Sequence, residues 1–379
     1  MPSVYLADFP EPDRIEGAPH PRETARLFAH TAAQSEFLGS FKSGRLHHAW
    51  LISGPRGIGK ATFAWMLARF LLATPPDDGM MFAAPPPETL DIPFDHPVAH
   101  RMRALSEPGL FLLRRGLNDK EVAPAQDILV KEVRKMTDYF HLSLGDGGRR
   151  VSIIDAADDL NPNAANALLK LLEEPPKGVT FFLISHQPQR LLATIRSRCR
   201  ELRLAPLPPE MLADALSAAG GTLTSTEVQA IAELAGGSVG EAFRLTNLDG
   251  LAVYTRLTKL FTTLPRLDRT EALQLSETAA GRGAEVQFDL IVTLIDLFLA
   301  RLARAAATAA LPPEAAIGEA ALLIRLGQPA GAALAWADLA QSLTIRARRG
   351  RAVNLDPAAL LMDMLLKIDE TASSLLTTR

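Results

Sequence analysis

Ala49-Trp50-Leu51-Ile52-Ser53-Gly54-Pro55-Arg56-Gly57-Ile58-Gly59-Lys60-Ala61 decides the fold. Its first five residues form a short apolar run that stops at a glycine, the pattern of a strand buried on both faces. The stretch from Gly54 to Lys60 matches the phosphate-loop pattern G-x-x-x-x-G-K. Residues 61–72, free of glycine and proline, place Phe63, Met66, Leu67 and Phe70 on one side of a helix. Strand, loop and helix in that order are what phosphate cradling requires. Glycines let backbone N–H groups turn inward, the helix start adds a positive dipole, and Lys60 reaches the terminal phosphates. Gly54, Gly57, Gly59 and Lys60 are therefore the candidate nucleotide contacts.

Outward from this stretch, Val151-Ser152-Ile153-Ile154-Asp155 reads as a second buried strand and residues 179–185 as a third. Asn161 and Pro162 supply the cap and first-turn proline of a helix that ends at Pro175-Pro176, and residues 22–41 and 128–140 keep a helical rhythm. Strands alternating with helices imply a parallel sheet covered on both faces, so residues 1–205 are expected to form an α/β P-loop-type domain. Within it, 73–125 is proline-rich and predicts an irregular insertion. Beyond Pro208-Pro209 strand signals vanish. A small helical module is expected over 206–249 and an all-helical domain over 250–379, with Arg346-Ala347-Arg348-Arg349-Gly350-Arg351 as a solvated loop between helices.

Composition narrows the function classes. With 379 residues, 47% hydrophobic, 22% charged and a net charge of −3, the chain is globular, and its affinity for nucleic acid cannot rest on bulk charge. Cys199 is the single cysteine, which excludes an internal disulfide and a cysteine-rich zinc site; His96 and His100 alone lack the soft partners a structural zinc needs. No metal is expected. The opening residues show no apolar signal core and no run of about 18 apolar residues follows, so the expectation is a cytoplasmic protein without membrane contact.

The loop lacks parts of a hydrolytic site. The residue after Lys60 should carry a hydroxyl for Mg²⁺ and is Ala61; Thr62 lies about 100° further round the helix. The second strand ends in Asp155, followed by Ala156-Ala157-Asp158 in place of an adjacent general base, so Asp155 is either a residual metal contact or a strand-end acid. Asp158 and Asp159 read as solvated acids. Ser185-His186 reads as an ordinary strand-end pair, and His47 and His48 as structural.

Leu46-His47-His48-Ala49-Trp50, Asp155 to Asn161, Asn166 to Pro176 (ending Leu-Leu-Glu-Glu-Pro-Pro) and Ile195-Arg196-Ser197-Arg198-Cys199 together resemble the AAA+ clamp-loader family of bacteria, most closely its delta-prime branch in DNA polymerase III. The resemblance is strong over 20–205, fair over 206–250 and weak thereafter. It implies an AAA+ core, a helical lid and a C-terminal helical collar through which subunits form an open ring that loads a sliding clamp on primed DNA. It further implies gamma/tau-type ATPase and delta-type clamp-opening partners, and names Arg198 as a finger reaching a neighbour's ATP site. Where ATPase relatives carry a lid arginine, this chain has Gly240. With Ala61 and the reduced acidic pair, that departure points to a ring member without independent catalysis inside a polymerase holoenzyme. ATP or ADP is left open as a weak or structural ligand. The alternative is an ATP-hydrolysing gamma/tau-like motor subunit; a small-molecule kinase would leave the helical tail unexplained.

Overall fold

The computed structural model describes residues 11, 18–24, 26–74, 87–116, 125–141, 148–218, 223–281 and 283–377. The reading of the opening residues 1–10 and 12–17, and of Pro75, Pro76, Pro85 and Pro86, falls outside them. The chain divides into two compact units, one of residues 1–220 with 237–241, the other of 221–236 with 242–379.

The first unit is built on a five-stranded parallel sheet. Its strands are β1 (Ala49–Ser53), β2 (Leu110–Arg114), β3 (Arg150–Asp155), β4 (Val179–Ser185) and β5 (Arg200–Arg203), in the order β2-β3-β4-β1-β5. All five residues of β1 and all seven of β4 are buried, as central strands of a sheet covered on both faces must be. They pair in register from Ala49 opposite Phe181 to Ser53 opposite Ser185. The edge strand β5 buries only Leu202 and leaves Arg200, Glu201 and Arg203 outward, so charge discourages further strand pairing there.

Helices of this unit are α1 (Thr31–Lys42), α2 (Lys60–Ala73), α3 (Pro97–Arg103), α4 (Val130–His141), α5 (Pro162–Glu173), the short α6 (Ala193–Arg196) and α7 (Pro209–Ala218). Asn161 caps α5 by accepting from the Ala164 N–H at 2.8 Å, with Pro162 in the first turn. Val133, Met136 and Phe140 of α4 and Leu168, Leu171 and Leu172 of α5 share one core with β3 and β4, each buried side chain contributing about 1.5–3 kcal/mol for a residue of this size. His48 donates to Leu172 O at 3.0 Å, and Trp50 Nε1 donates to His47 O at 2.9 Å, so both histidines brace β1 against its surroundings.

The α/β fold with a parallel sheet followed by helices is the one expected, but the stretch 73–125 is not irregular throughout. It holds α3 and β2, and β2 forms one edge of the sheet through pairing with β3. Leu110-Phe111-Leu112-Leu113 is a short apolar run of the kind a strand shows, but the prolines of 73–125 outweigh it when the segment is read as a whole.

The second unit is helical throughout its described residues: α8 (Ser225–Ala235), α9 (Val239–Asn247, whose first turn belongs to the first unit), α10 (Gly250–Phe261), α11 (Arg269–Glu277), α12 (Glu285–Thr308), α13 (Glu319–Gly327), α14 (Ala332–Ala352) and α15 (Pro357–Thr377). A capping box starts α8: Thr224 Oγ1 accepts from Glu227 N, and the Glu227 carboxylate accepts from Thr224 N at 2.8 Å. The stripe Phe288, Ile291, Ile295, Leu299 and Leu302 of α12 is buried, with Phe298 against Phe261 at 4.8 Å between ring centres. The arginine-rich stretch 346–351 lies inside α14 rather than in a loop, and Arg346 pairs with Asp363 at 2.7 Å. Gly350 there faces Leu360, with no room for a side chain of its own. A glycine among arginines suggests a turn when read locally, but the packing of α14 on α15 overrides it.

Candidate functional site

Ligands of open parallel sheets gather at the carboxyl ends of the strands. Here that end carries the loop 54–59 after β1, Asp155 closing β3, and Ser185-His186 closing β4. Three glycines of the loop, Gly54, Gly57 and Gly59, have conformations that other residues resist. Gly59 caps α2 at φ +98°, and Gly57 stands at φ +73° with its missing Cβ pointing 2.2 Å from Ser238 Oγ and 3.1 Å from the Gly240 backbone. Gly54 closes the loop's other end against Leu204 O.

The carbonyls of this loop are held by the chain itself. Lys60 Nζ donates to Gly54 O at 2.8 Å and to Pro55 O, Ser238 Oγ donates to Arg56 O at 3.0 Å, Gly240 N donates to Gly57 O at 2.9 Å, and His30 Nε2 donates to Ile58 O at 2.8 Å. Ser238 and His30 carried no signal for this role: His30 lies within 22–41, where the helical rhythm becomes a helix only from Thr31, Ser238 follows the end of α8, and only the fold brings them to the loop.

Lys60 is buried at 3% exposure, and burial pulls its ammonium down to about 8, with Asp155 and Asp158 opposing the shift and Arg56 adding to it. Asp155 thus shares the electrostatic site of Lys60, as its place in the sequence suggested. Asp158 is a correction. Rather than lying free in solvent, its carboxylate accepts from Ser185 Oγ at 2.8 Å, Gln187 N at 3.2 Å and His186 N. The turn after β3 delivers this acid to N–H groups that β4 leaves unpaired as it ends. Asp159 likewise meets Arg115 at 3.3 Å. His186 is driven down to about 4 by burial and by the charges of Lys60 and Arg56, and its Nδ1 is buried without a hydrogen-bond partner.

A phosphate group fits this arrangement, since Lys60 closes the glycine loop and the unsatisfied buried nitrogen of His186 lies within its field. Ala61 offers no side-chain oxygen at the position after the loop lysine, where a hydroxyl would meet magnesium.

Arg198 lies elsewhere. The triplet Ser197-Arg198-Cys199 joins α6 to β5: Ser197 Oγ donates to Thr194 O at 3.1 Å, and Cys199 packs against the core, its thiol pushed up to about 12 by burial. Between these two fixed residues the Arg198 guanidinium donates to Thr194 O at 3.0 Å and pairs with Glu173 at 2.8 Å. Neither partner belongs to the phosphate loop, so the structure keeps Arg198 apart from Gly54–Lys60. The small side chain and the buried thiol pin the backbone while the arginine stays 35% exposed.

Comparison with known proteins agrees with this architecture. Residues 29–208 match the family model described as DNA polymerase III, delta subunit. The chain is similar to DNA polymerase III subunit delta' of Escherichia coli, 34% identical over 212 residues, which are 55% of this chain and 58% of that one. It is also similar to subunit tau of the same organism, 30% identical over 279 residues, 70% of this chain and 40% of that one. A solved structure of a gamma-subunit-related protein of DNA polymerase III from Thermotoga maritima aligns over 89% of this chain and 99% of its own, at 17% identity and a TM-score of 0.39. The chain spans about half the length of the curated relatives it matches. Over residues 29–208 the chain is similar to the DNA polymerase III delta-subunit family.

Proposed function

We propose that this chain is a delta-prime-like member of a DNA polymerase III clamp loader, a ring subunit that does not hydrolyse ATP and lends Arg198 to the ATP site of a neighbouring gamma/tau-type subunit. The observation that carries this reading is the separation of parts. The chain's own loop keeps Lys60 but has Ala61 where a magnesium hydroxyl would stand, while Arg198, 35% exposed, stands on a turn and pairs with residues outside the loop. A guanidinium is charged at every physiological pH and presents a fork of donors that matches phosphate oxygens, so it can act on a nucleotide bound by another subunit.

Its other partners in this reading are a delta-type clamp-opening subunit, the sliding clamp, and primed DNA reached through the complex. The motor-type reading draws on the longer match to subunit tau and on the retained Lys60. Ala61 and Gly240 oppose it, because neither carries the side chain, hydroxyl or guanidinium, that the motor-type site uses at its place, and Gly240 meets the loop only through its backbone N–H on Gly57 O.

ATP or ADP occupies the loop, in this reading, as a weak ligand without a hydrolytic role. Calorimetry of the purified chain tests it. Binding should be weak, indifferent to Mg²⁺ and lost in Lys60→Ala. The free protein's Lys60 loses its charge as pH rises through about 8, so affinity should fall between pH 7 and pH 9. Tight binding that depends on Mg²⁺ would favour the motor-type reading instead.

A further inference from the structure

We infer that Glu173 is a parking carboxylate for Arg198: it holds the guanidinium at home and competes with a neighbour's nucleotide for it. The inference rests on the trans-finger reading and adds a residue to it.

Glu173 is the last residue of α5, whose end is fixed by Pro175-Pro176, and its Oε1 lies 2.8 Å from Arg198 Nη2. Arg198 Nη1 reaches back to Thr194 O, one turn earlier in the chain, at 3.0 Å. The side chain is thus folded against its own element, held on one side by a carboxylate and on the other by a carbonyl. The carboxyl end of α5 adds the negative end of a helix dipole to the attraction. Glu173 is 48% exposed, so the pair sits at the surface, where an ion pair favours the bound state by a factor of only about two to five.

That weakness is what a reversible resting site needs. Guanidinium binds phosphate oxygens bidentately, and a triphosphate carries more negative charge than one carboxylate, so it can draw the arginine away. Glu173 thereby weakens the hold of Arg198 on any neighbouring nucleotide by the same factor, in the ground state and the transition state alike. Glu174 is equally acidic and also exposed. Arg198 pairs with the first of these two glutamates, which makes the second an internal control.

The test uses the complex reconstituted with a gamma/tau-type ATPase subunit, reading steady-state KM for ATP, kcat and inhibition by ADP. Glu173→Gln should lower KM about two- to fivefold and tighten ADP inhibition to the same degree, with kcat within twofold, because uniform binding moves KM alone. Glu174→Gln should move none of these, and Glu173→Gln should add nothing in an Arg198→Ala background. If Glu173→Gln behaves like Glu174→Gln, or lowers kcat, the parking role is wrong. Should Arg198→Ala itself leave turnover unchanged, the trans-finger reading fails, and this inference with it.

Discussion

In a reconstituted clamp-loader complex, Arg198→Ala in this chain should reduce ATP turnover at the adjoining subunit by about 10³- to 10⁵-fold, the range measured for arginine fingers. That corresponds to about 4 to 7 kcal/mol of transition-state stabilisation, because each tenfold is worth about 1.4 kcal/mol. Assembly should survive. Among the described residues Arg198 makes a surface ion pair and one bond to Thr194 O, and a pair this exposed contributes about 0–1 kcal/mol. Arg198→Lys should restore little, since an ammonium lacks the planar fork that grips two phosphate oxygens. Measuring turnover and complex formation on the same samples separates a lost finger from a lost subunit. Turnover at the adjoining site within tenfold of wild type would remove Arg198 from catalysis.

The second large effect concerns stability. Glu319 is fully buried in the helical unit, where its carboxylate accepts from Tyr254 Oη at 2.6 Å, Arg301 Nε at 2.7 Å and Ala315 N at 2.8 Å. Arg301 also donates to Pro313 O at 2.6 Å and is itself buried. Burial and the neighbouring Glu319 charge push the Tyr254 phenol well above its usual range, so it remains a donor throughout the working pH. Glu319→Ala leaves a guanidinium buried without its counter-charge, which costs about 3–5 kcal/mol. Glu319→Gln keeps part of the hydrogen bonding and should lose less. Urea unfolding followed by circular dichroism reads both. Replacing Arg301 by Met and Glu319 by Leu together should recover most of the loss, because the pair's attraction roughly offsets its own desolvation. A Glu319→Ala loss below about 1 kcal/mol would show that the network is satisfied by other means.

Much of this molecule was legible in its sequence because several features reinforce one another locally. The run from Ala49 to Lys60 fixes a buried strand, a glycine loop and a helix start, and the structure places all three where they were expected. Asn161-Pro162 and Pro175-Pro176 bounded α5 almost to the residue. What escaped was chemistry created by tertiary proximity. Asp158 resembled any acid beside a helix cap until the end of β4 came within reach of it. Ser238 and His30 meet the loop only because residues 237–241 and 27–30 fold against it, and nothing in their spacing signals that. Glu173 looked like one of two interchangeable glutamates, and only the turn at α6 selects it. Strand β2 and the middle of α14 escaped for another reason: prolines surround the apolar run from Leu110 to Leu113, and packing on α15 outweighs a glycine set among arginines.

The most direct measurement is steady-state ATP turnover by the purified chain with Mg²⁺, compared with its Lys60→Ala variant. A subunit that lends an arginine but has Ala61 where a magnesium hydroxyl would stand should show no turnover above that variant. Turnover by the isolated chain that Lys60→Ala abolishes would contradict the division of labour and mark it as a motor.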